Sequence, residues 1–127
     1  MDKQIRTIGV LTSGGDAQGM NACIRAVTRS ALNKGIRVMG IRKGYNGLLR
    51  GDIVEMTAGS VADIIHRGGT ILYTARCPEF LEPDNQKRAS EMCKVFGIDG
   101  LVVIGGDGSF RGAKDVSKFG INVVGIP

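Results

Sequence analysis

The sequence contains few histidines and cysteines, the residues that build zinc centres and disulfide frameworks, and it has no long apolar run. Its 127 residues include one histidine, three cysteines, three prolines and no tryptophan, and aromatic residues make up only 5%. The cysteines form no C-x-x-C pair, so the ligand spacing of a zinc site is missing. No apolar run approaches the ~20 residues of a bilayer span, and the apolar part of the N-terminal segment is too short for a signal peptide. We therefore expect a cytoplasmic protein with reduced thiols and no membrane partner.

Glycine and positive charge are abundant instead. The chain has 20 glycines and a net charge of +5, and this glycine content is about twice the usual share of roughly 7%. Glycine is typical of positions where the backbone turns tightly or approaches another group closely. A basic chain suits an anionic partner, but the scattered basic residues form no run of four and argue against nucleic acid. A plain solvated basic surface is the alternative.

Apolar periodicity predicts strands and helices that alternate along the chain. Strands are predicted over 5–11, 37–41, 52–56, 101–104 and 121–126, and helices over 20–33, 84–96 and 110–118. Ser60, with Asp63 three positions later, predicts the cap of a short helix over 61–66, and 43–47 is predicted as a loop that leads into a short turn. This succession is typical of an α/β fold, a parallel sheet flanked by helices.

Two predicted strand-to-helix junctions are rich in glycine, and each carries an aspartate. They read GGD at 14–16 and GGDGS at 105–109. In a parallel sheet both lie at the carboxyl ends of strands, where glycine lets backbone N–H groups approach phosphate oxygens. Since an aspartate repels phosphate unless a cation lies between them, Asp107 is a candidate Mg2+ ligand. Neither junction is a P-loop or a good G-x-G-x-x-G, and both could simply be tight turns, with Asp107 capping a helix.

Four ordered segments are more specific than these short motifs. They are IGVLTSGGDAQGMNA at 8–22, KGYNGL at 43–48, DIIHRGGTILYTARCPEF at 63–80 and GLVVIGGDGSFRGA at 100–113. Together they closely resemble the bacterial ATP-dependent 6-phosphofructokinases. The resemblance implies a Rossmann-like phosphofructokinase fold and transfer of the ATP γ-phosphoryl group to the 1-hydroxyl of fructose 6-phosphate, the committed step of glycolysis. It also implies dependence on Mg2+, allosteric control and a homotetramer.

The resemblance assigns a nucleotide site to particular residues. Arg76 is implied to stabilise charge on the transferred phosphoryl group, and Asp107 to ligate Mg2+. Taken alone, Tyr45 could be a surface loop residue, Arg76 could pair with Glu79, and Cys77 could be a packing residue. The implied ATP contacts are Gly15, Tyr45, Arg76, Cys77, Gly106, Asp107, Gly108 and Ser109.

A second, regulatory site is implied on the first predicted helix. Arg25 and Arg29 are four residues apart, where like charges cost roughly 0.2–0.5 kcal/mol unless an anion binds, although both could simply be solvated. In the family this segment lines an effector site between subunits, with ADP and phosphoenolpyruvate as effectors. Some relatives carry arginine where Ala58 stands, so one basic contact is expected to be missing here. The implied residues are Arg25, Ala26, Val27, Thr28, Arg29, Ala58, Gly59, Ser60, Val61, Ala62 and Asp63.

Two alternative functions stay open. Pyrophosphate-dependent relatives read GGDDS at the second junction, whereas Gly108 here leaves room for the α-phosphate of ATP. A non-catalytic nucleotide-binding fragment is the other alternative, because in the family the segment with the proton-accepting aspartate and the fructose 6-phosphate domain come after the position of Pro127. We expect residues 1–127 to be the N-terminal ATP-binding portion of a phosphofructokinase, inactive when isolated.

Overall fold

A five-stranded sheet organises the chain. The computed structural model describes residues 5–14, 19–64, 69–75 and 77–127, with Asp107 and Gly108 described for their backbone only. The strands are β1 (Thr7–Thr12), β2 (Arg37–Ile41), β3 (Ile53–Met56), β4 (Gly100–Ile104) and β5 (Asn122–Ile126). The helices are α1 (Met20–Asn33), α2 (Gly44–Arg50), α3 (Pro83–Val95) and α4 (Asp107–Ser117), with 3-10 turns at Gly59–Val61 and Pro78–Leu81.

The strand order is β3-β2-β1-β4-β5. The β1–β2, β1–β4 and β4–β5 pairs are parallel, and β3 pairs antiparallel with β2 at one edge. From β1 the chain builds outward through β2 to β3 on one side, and it then returns to the other side as β4 and β5. The connections therefore diverge between β1 and β4, which is where open α/β sheets form a ligand crevice. The predicted α/β fold is confirmed.

Alternate strand residues supply two apolar cores on opposite faces of the sheet. Leu11 and Val103 belong to the core that includes residues of α2, α3 and α4. Their neighbours Val10 and Ile104 belong to the core that includes α1 residues and Val61. These helices cover both faces of the sheet, so its central strands are buried and apolar, as parallel strands are. Within the described residues, no helix is both long and apolar enough to span a membrane.

Two local predictions are wrong. Residues 44–50 form helix α2 rather than continuing a loop, and the helix follows Lys43, which has a left-handed φ of 62°. Ser60 does not cap a following helix: it lies inside the 3-10 turn, and its Oγ accepts a hydrogen bond from the Thr57 N–H at 3.0 Å. The predicted helix over 61–66 lies partly outside the described residues.

Candidate functional site

A cleft of about 1300 Å³ opens at the carboxyl ends of β1, β4 and β5. Both glycine-rich junctions line it, the first through Ser13 and Gly14 and the second through Gly105, Gly106 and Ser109. The register explains this meeting, because the last residue of β1 pairs with the last residue of β4. The two junctions therefore leave the sheet side by side, as sequence reasoning predicted for carboxyl-terminal ends of parallel strands.

Hydrogen bonds attach each junction to the end of the neighbouring strand. The Ser13 N–H donates to the Ile104 carbonyl at 2.9 Å, and the Gly105 N–H donates to the Ile126 carbonyl at 3.0 Å. A Cβ atom at Gly105 would overlap the Ser13 carbonyl oxygen and would lie 2.6 Å from Ser109 Oγ. Glycine is therefore required at 105 for the close approach of the two loops. The result is a narrow cleft floor built largely of backbone and small side chains.

Helix α4 points its N-terminus into this cleft floor. It begins at Asp107, and Gly106 precedes it in an extended conformation with φ −100° and ψ −166°. A Cβ atom at Gly106 would meet no atom within 4 Å, so space is open there. The free N–H groups and the positive end of the helix dipole favour a bound anion at this position. Asp107 is thus the first helical residue, not the cap before the helix.

Several predicted site residues lie outside what the structure describes. These are Gly15 and Arg76, together with the side-chain positions at Asp107 and Gly108. Among the described residues, no group of three or more His, Cys, Asp or Glu side chains could hold a metal. Mg2+ is commonly held by one or two carboxylates, phosphate oxygens and water rather than by an all-protein cage. The Asp107 ligand stays a prediction.

An aromatic pair forms the wall beside the second junction. Tyr45 and Phe80 stack with ring centroids 4.2 Å apart and planes 16° apart, and both line the cleft. The Tyr45 hydroxyl donates a hydrogen bond to the Ser109 carbonyl, which ties α2 to the first turn of α4. Burial, assisted by the negative charge of Asp115, raises the pKa of Tyr45. The surface-loop interpretation of Tyr45 is therefore wrong: the ring is 7% exposed and its hydroxyl stays protonated.

Two thiols also line the cleft. Cys77 and Cys23 are both half-buried, and burial raises the pKa of each. The negative charge of Glu79 adds to the effect at Cys77. Both thiols are therefore protonated near neutral pH, so they act as small neutral groups of the wall rather than as nucleophiles.

Sequence reasoning missed four residues at the far end of the cleft. Arg111, Gly112 and Asp115 of α4 line it together with Leu81. The available signal was spacing: 111 and 115 are one helical turn apart on a helix whose first turn was already assigned to the site. The buried Gln86 reaches the same place from α3, since its Nε2 donates to Asp115 Oδ2 at 3.1 Å.

The two segments of the predicted regulatory site lie next to each other. The 3-10 turn at Gly59–Val61 packs against α1, and Val61 is fully buried in the core that contains Ile24. On α1, Thr28 is buried, Arg25 and Val27 are half-buried, and Ala26 and Arg29 are exposed. In the second segment Ala58, Gly59, Ser60, Ala62 and Asp63 are exposed. Among the described residues, Arg25 Nε is buried without a hydrogen-bond partner.

Comparison with known proteins agrees with this geometry. Residues 7–127 match the family model described as phosphofructokinase. ATP-dependent 6-phosphofructokinases of Finegoldia magna and Clostridium botulinum are 63% and 65% identical over 123 residues, which is 97% of this chain and 39% of each relative. The chain thus spans about two fifths of the length of the curated relatives it matches.

Solved structures give the same result. The crystal structure of Pichia pastoris phosphofructokinase in the T-state is 43% identical, with a TM-score of 0.86 over 94% of this chain and 14% of that chain. The Saccharomyces cerevisiae phosphofructokinase structure is 34% identical, with a TM-score of 0.86 over 95% of this chain and 20% of that one. A pyrophosphate-dependent phosphofructokinase from Marinobacter aquaeolei is only 21% identical, with a TM-score of 0.82, and supports the fold alone.

Proposed function

The chain belongs to the phosphofructokinase family, and from this premise we propose that the complete protein transfers the γ-phosphoryl group of ATP to the 1-hydroxyl of fructose 6-phosphate. Residues 1–127 are then its N-terminal ATP-binding portion, and the fructose 6-phosphate domain lies elsewhere in the complete protein. The observation that carries the proposal is the meeting of the two glycine-rich junctions at the ends of β1 and β4. A cytoplasmic homotetramer belongs to the same proposal.

The cleft supplies positioning and charge stabilisation, which are the main protein contributions to phosphoryl transfer. The ATP phosphates lie against Gly15 and against the junction from Gly106 to Ser109, where α4 begins. Arg76 stabilises negative charge on the transferred group, and Asp107 holds Mg2+. When bound, Mg2+ neutralises charge on the phosphates. Tyr45 keeps the first turn of α4 in place through the Ser109 carbonyl.

The choice of phosphoryl donor tests the proposal. With purified complete protein, fructose 6-phosphate and Mg2+, we expect turnover with ATP and little with pyrophosphate. Gly108→Asp introduces a carboxylate beside the α-phosphate, so it should depress ATP use far more than pyrophosphate use. A coupled assay for fructose 1,6-bisphosphate measures both donors. Robust pyrophosphate turnover by the unmodified protein contradicts the assignment.

Regulation by ADP and phosphoenolpyruvate is the finer part of the proposal. The support is the adjacency of α1 and the 3-10 turn, together with a buried Arg25 Nε that has no partner among the described residues. Arg25→Ala in the complete protein should blunt ADP activation and leave the maximal rate within a few-fold. Loss of turnover at saturating substrate, with the oligomer intact, argues against an effector role.

A further inference from the structure

The far end of the cleft contains a carboxylate that is fixed in place. Asp115 lies in the last turn of α4 and lines the cleft. Its Oδ2 accepts a hydrogen bond from Gln86 Nε2 at 3.1 Å, and the same Nε2 also donates to the Phe80 carbonyl at 3.0 Å. Gln86 is only 8% exposed, and both hydrogen bonds fix its side chain. The Asp115 carboxylate that it contacts therefore has a defined orientation.

Helix formation does not explain an aspartate at this position. Negative charge near a helix C-terminus is unfavourable, because the last carbonyl groups already carry partial negative charge. Among the described residues Lys118 forms an ion pair with it, Nζ lying 3.5 Å from Asp115 Oδ1, but the Lys118 side chain is 66% exposed and such pairs contribute little. Asp115 and Tyr45 both line the cleft, and burial together with the negative charge of Asp115 raises the pKa of Tyr45.

Position along α4 relates Asp115 to the nucleotide. Eight residues separate Asp107 from Asp115, which corresponds to about 12 Å along the helix. If the phosphates lie at the helix N-terminus, the nucleoside extends toward the Tyr45–Phe80 wall, where Asp115 lies. The Tyr45 ring packs directly on α4 between these two ends, since a Cβ atom at Gly112 would be 3.0 Å from that ring.

We propose that the Asp115 carboxylate accepts a hydrogen bond from the nucleoside part of the bound nucleotide, and that Gln86 is the positioning residue for that carboxylate. A carboxylate only accepts hydrogen bonds, so its partner is a donor: the 6-amino group of adenine or a ribose hydroxyl. This inference rests on the proposed function, because it takes the cleft as the nucleotide site.

The decisive experiment compares Asp115→Ala with the unmodified complete protein across four nucleotides. These are ATP, inosine triphosphate, 2′-deoxy-ATP and 3′-deoxy-ATP. A hydrogen bond to a charged group is strong enough that its loss should raise the KM for ATP about ten-fold, with kcat within about two-fold. The analogue that already lacks the relevant donor should be unaffected by the substitution, and it identifies which donor Asp115 accepts.

Gln86→Leu tests the positioning role. It should raise the KM for ATP in the same direction, without changing kcat, and it should add nothing in the Asp115→Ala background because both changes remove one interaction. Lys118→Ala is the matched control, since it removes the other group near the carboxylate and should leave the KM for ATP within about two-fold. An additive Gln86→Leu effect indicates a structural role and contradicts the positioning claim.

Two outcomes overturn the proposal. In the first, Asp115→Ala leaves the KM for ATP unchanged. In the second, it raises KM equally for all four nucleotides, which indicates a general disturbance of the cleft. Calorimetric titration with the same nucleotides repeats the comparison without turnover. Absence of fructose 6-phosphate phosphorylation in the unmodified protein therefore counts against the proposed function alone.

Discussion

Two adjacent glycines at the second junction have different physical reasons to be glycine. At Gly105 a Cβ atom would strike the Ser13 carbonyl and Ser109 Oγ, so the reason is the packing of one loop on the other. At Gly106 the backbone is ordinary extended chain and a Cβ atom would enter open space in the cleft. The first glycine therefore serves the fold, and under the proposed function the second keeps room for the ATP phosphates.

This difference predicts opposite outcomes for two alanine substitutions. Gly105→Ala should lower the free energy of unfolding by about 2–3 kcal/mol, because the loops must move apart. Gly106→Ala should change stability by no more than about 1 kcal/mol, the usual size of a helix-cap change, yet weaken ATP binding at least ten-fold. Thermal unfolding and calorimetric ATP titration of both variants measure the two effects. A Gly106→Ala protein with unchanged ATP affinity would place the phosphates elsewhere.

The Cys93 thiol links core packing to alkaline stability. It lies on α3, is fully buried, and burial raises its pKa from 9.0 to about 11. The folded state thus keeps this proton at a pH where the unfolded state has lost it. Its contribution to stability is complete below about pH 9 and is lost as the pH rises through about 11, and a shift of this size corresponds to roughly 2–3 kcal/mol. Tyr45, whose pKa is also raised, acts in the same direction.

Cys93→Ala should therefore flatten the alkaline side of the stability profile. At pH 8 the variant should be less stable by about 1 kcal/mol or more because it leaves a small cavity. Between pH 8 and pH 11 its melting temperature should fall less than that of the unmodified protein. Thermal unfolding in a reducing buffer gives both profiles. Parallel curves would show that the thiol has the same pKa in the folded and unfolded states, so that burial does not raise it.

Helices and strands were predictable where a single apolar pattern runs through the whole segment. The bounds of α1 and β2 agree with those predicted, because α1 has a clear apolar face and β2 is a short apolar run. The start of α4 was predicted three residues late, since its glycine-rich first turn has no helical propensity. At the site, the junctions were predictable from glycine, and helical spacing was the available signal for Asp115. The contact from α3 that orients its carboxylate was not predictable, because no local pattern encodes it.

Helix α2 was missed because two of its seven residues are glycine. One of them, Gly47, is required by a close backbone approach within the turn: a Cβ atom there would overlap the Arg42 carbonyl oxygen and lie 2.7 Å from its carbon. In the same turn, the Arg42 N–H donates a hydrogen bond to the Asp52 carbonyl at 2.9 Å, and the Asp52 N–H donates to the Gly47 carbonyl at 2.9 Å. Backbone contacts within residues 42–52 therefore override the weak helical propensity of this segment.

Gly47→Ala should consequently be among the most damaging glycine substitutions in this chain. Because the obstacle is rigid backbone, we expect a loss of at least about 3 kcal/mol and displacement of Tyr45, which lies on the same helix. Gly59→Ala is the control, since its Cβ atom would lie 3.6 Å from Thr57 Oγ1, an ordinary contact. Thermal unfolding of both variants measures the difference in stability. Equal melting temperatures would mean that the α2 turn adjusts freely.

At the scale of the whole molecule, the two edges of the sheet differ. β3 closes one edge antiparallel to β2, and its Arg37–Glu55 ion pair at 2.8 Å places charge there. β5 forms the other edge of the described sheet, and Val124 on it is 59% exposed. A sheet edge with an exposed apolar side chain and no charged residue is a site of self-association. In the complete protein, the proposed remaining segment would have to cover or pair with this edge.

The isolated segment of residues 1–127 should therefore differ from the complete protein in two measurable ways. We expect it to self-associate through β5, and to show no phosphorylation of fructose 6-phosphate because phosphoryl transfer requires both substrates to be positioned together. Val124→Lys should shift the isolated segment toward monomer in size-exclusion chromatography, since a charged edge resists strand pairing. Val54→Lys, on the opposite edge strand and 40% exposed, is the matched control and should leave the association unchanged. If both lysine variants associate as the unmodified segment does, the contact lies on another surface. Turnover of fructose 6-phosphate by the isolated segment would place the acceptor site within these 127 residues.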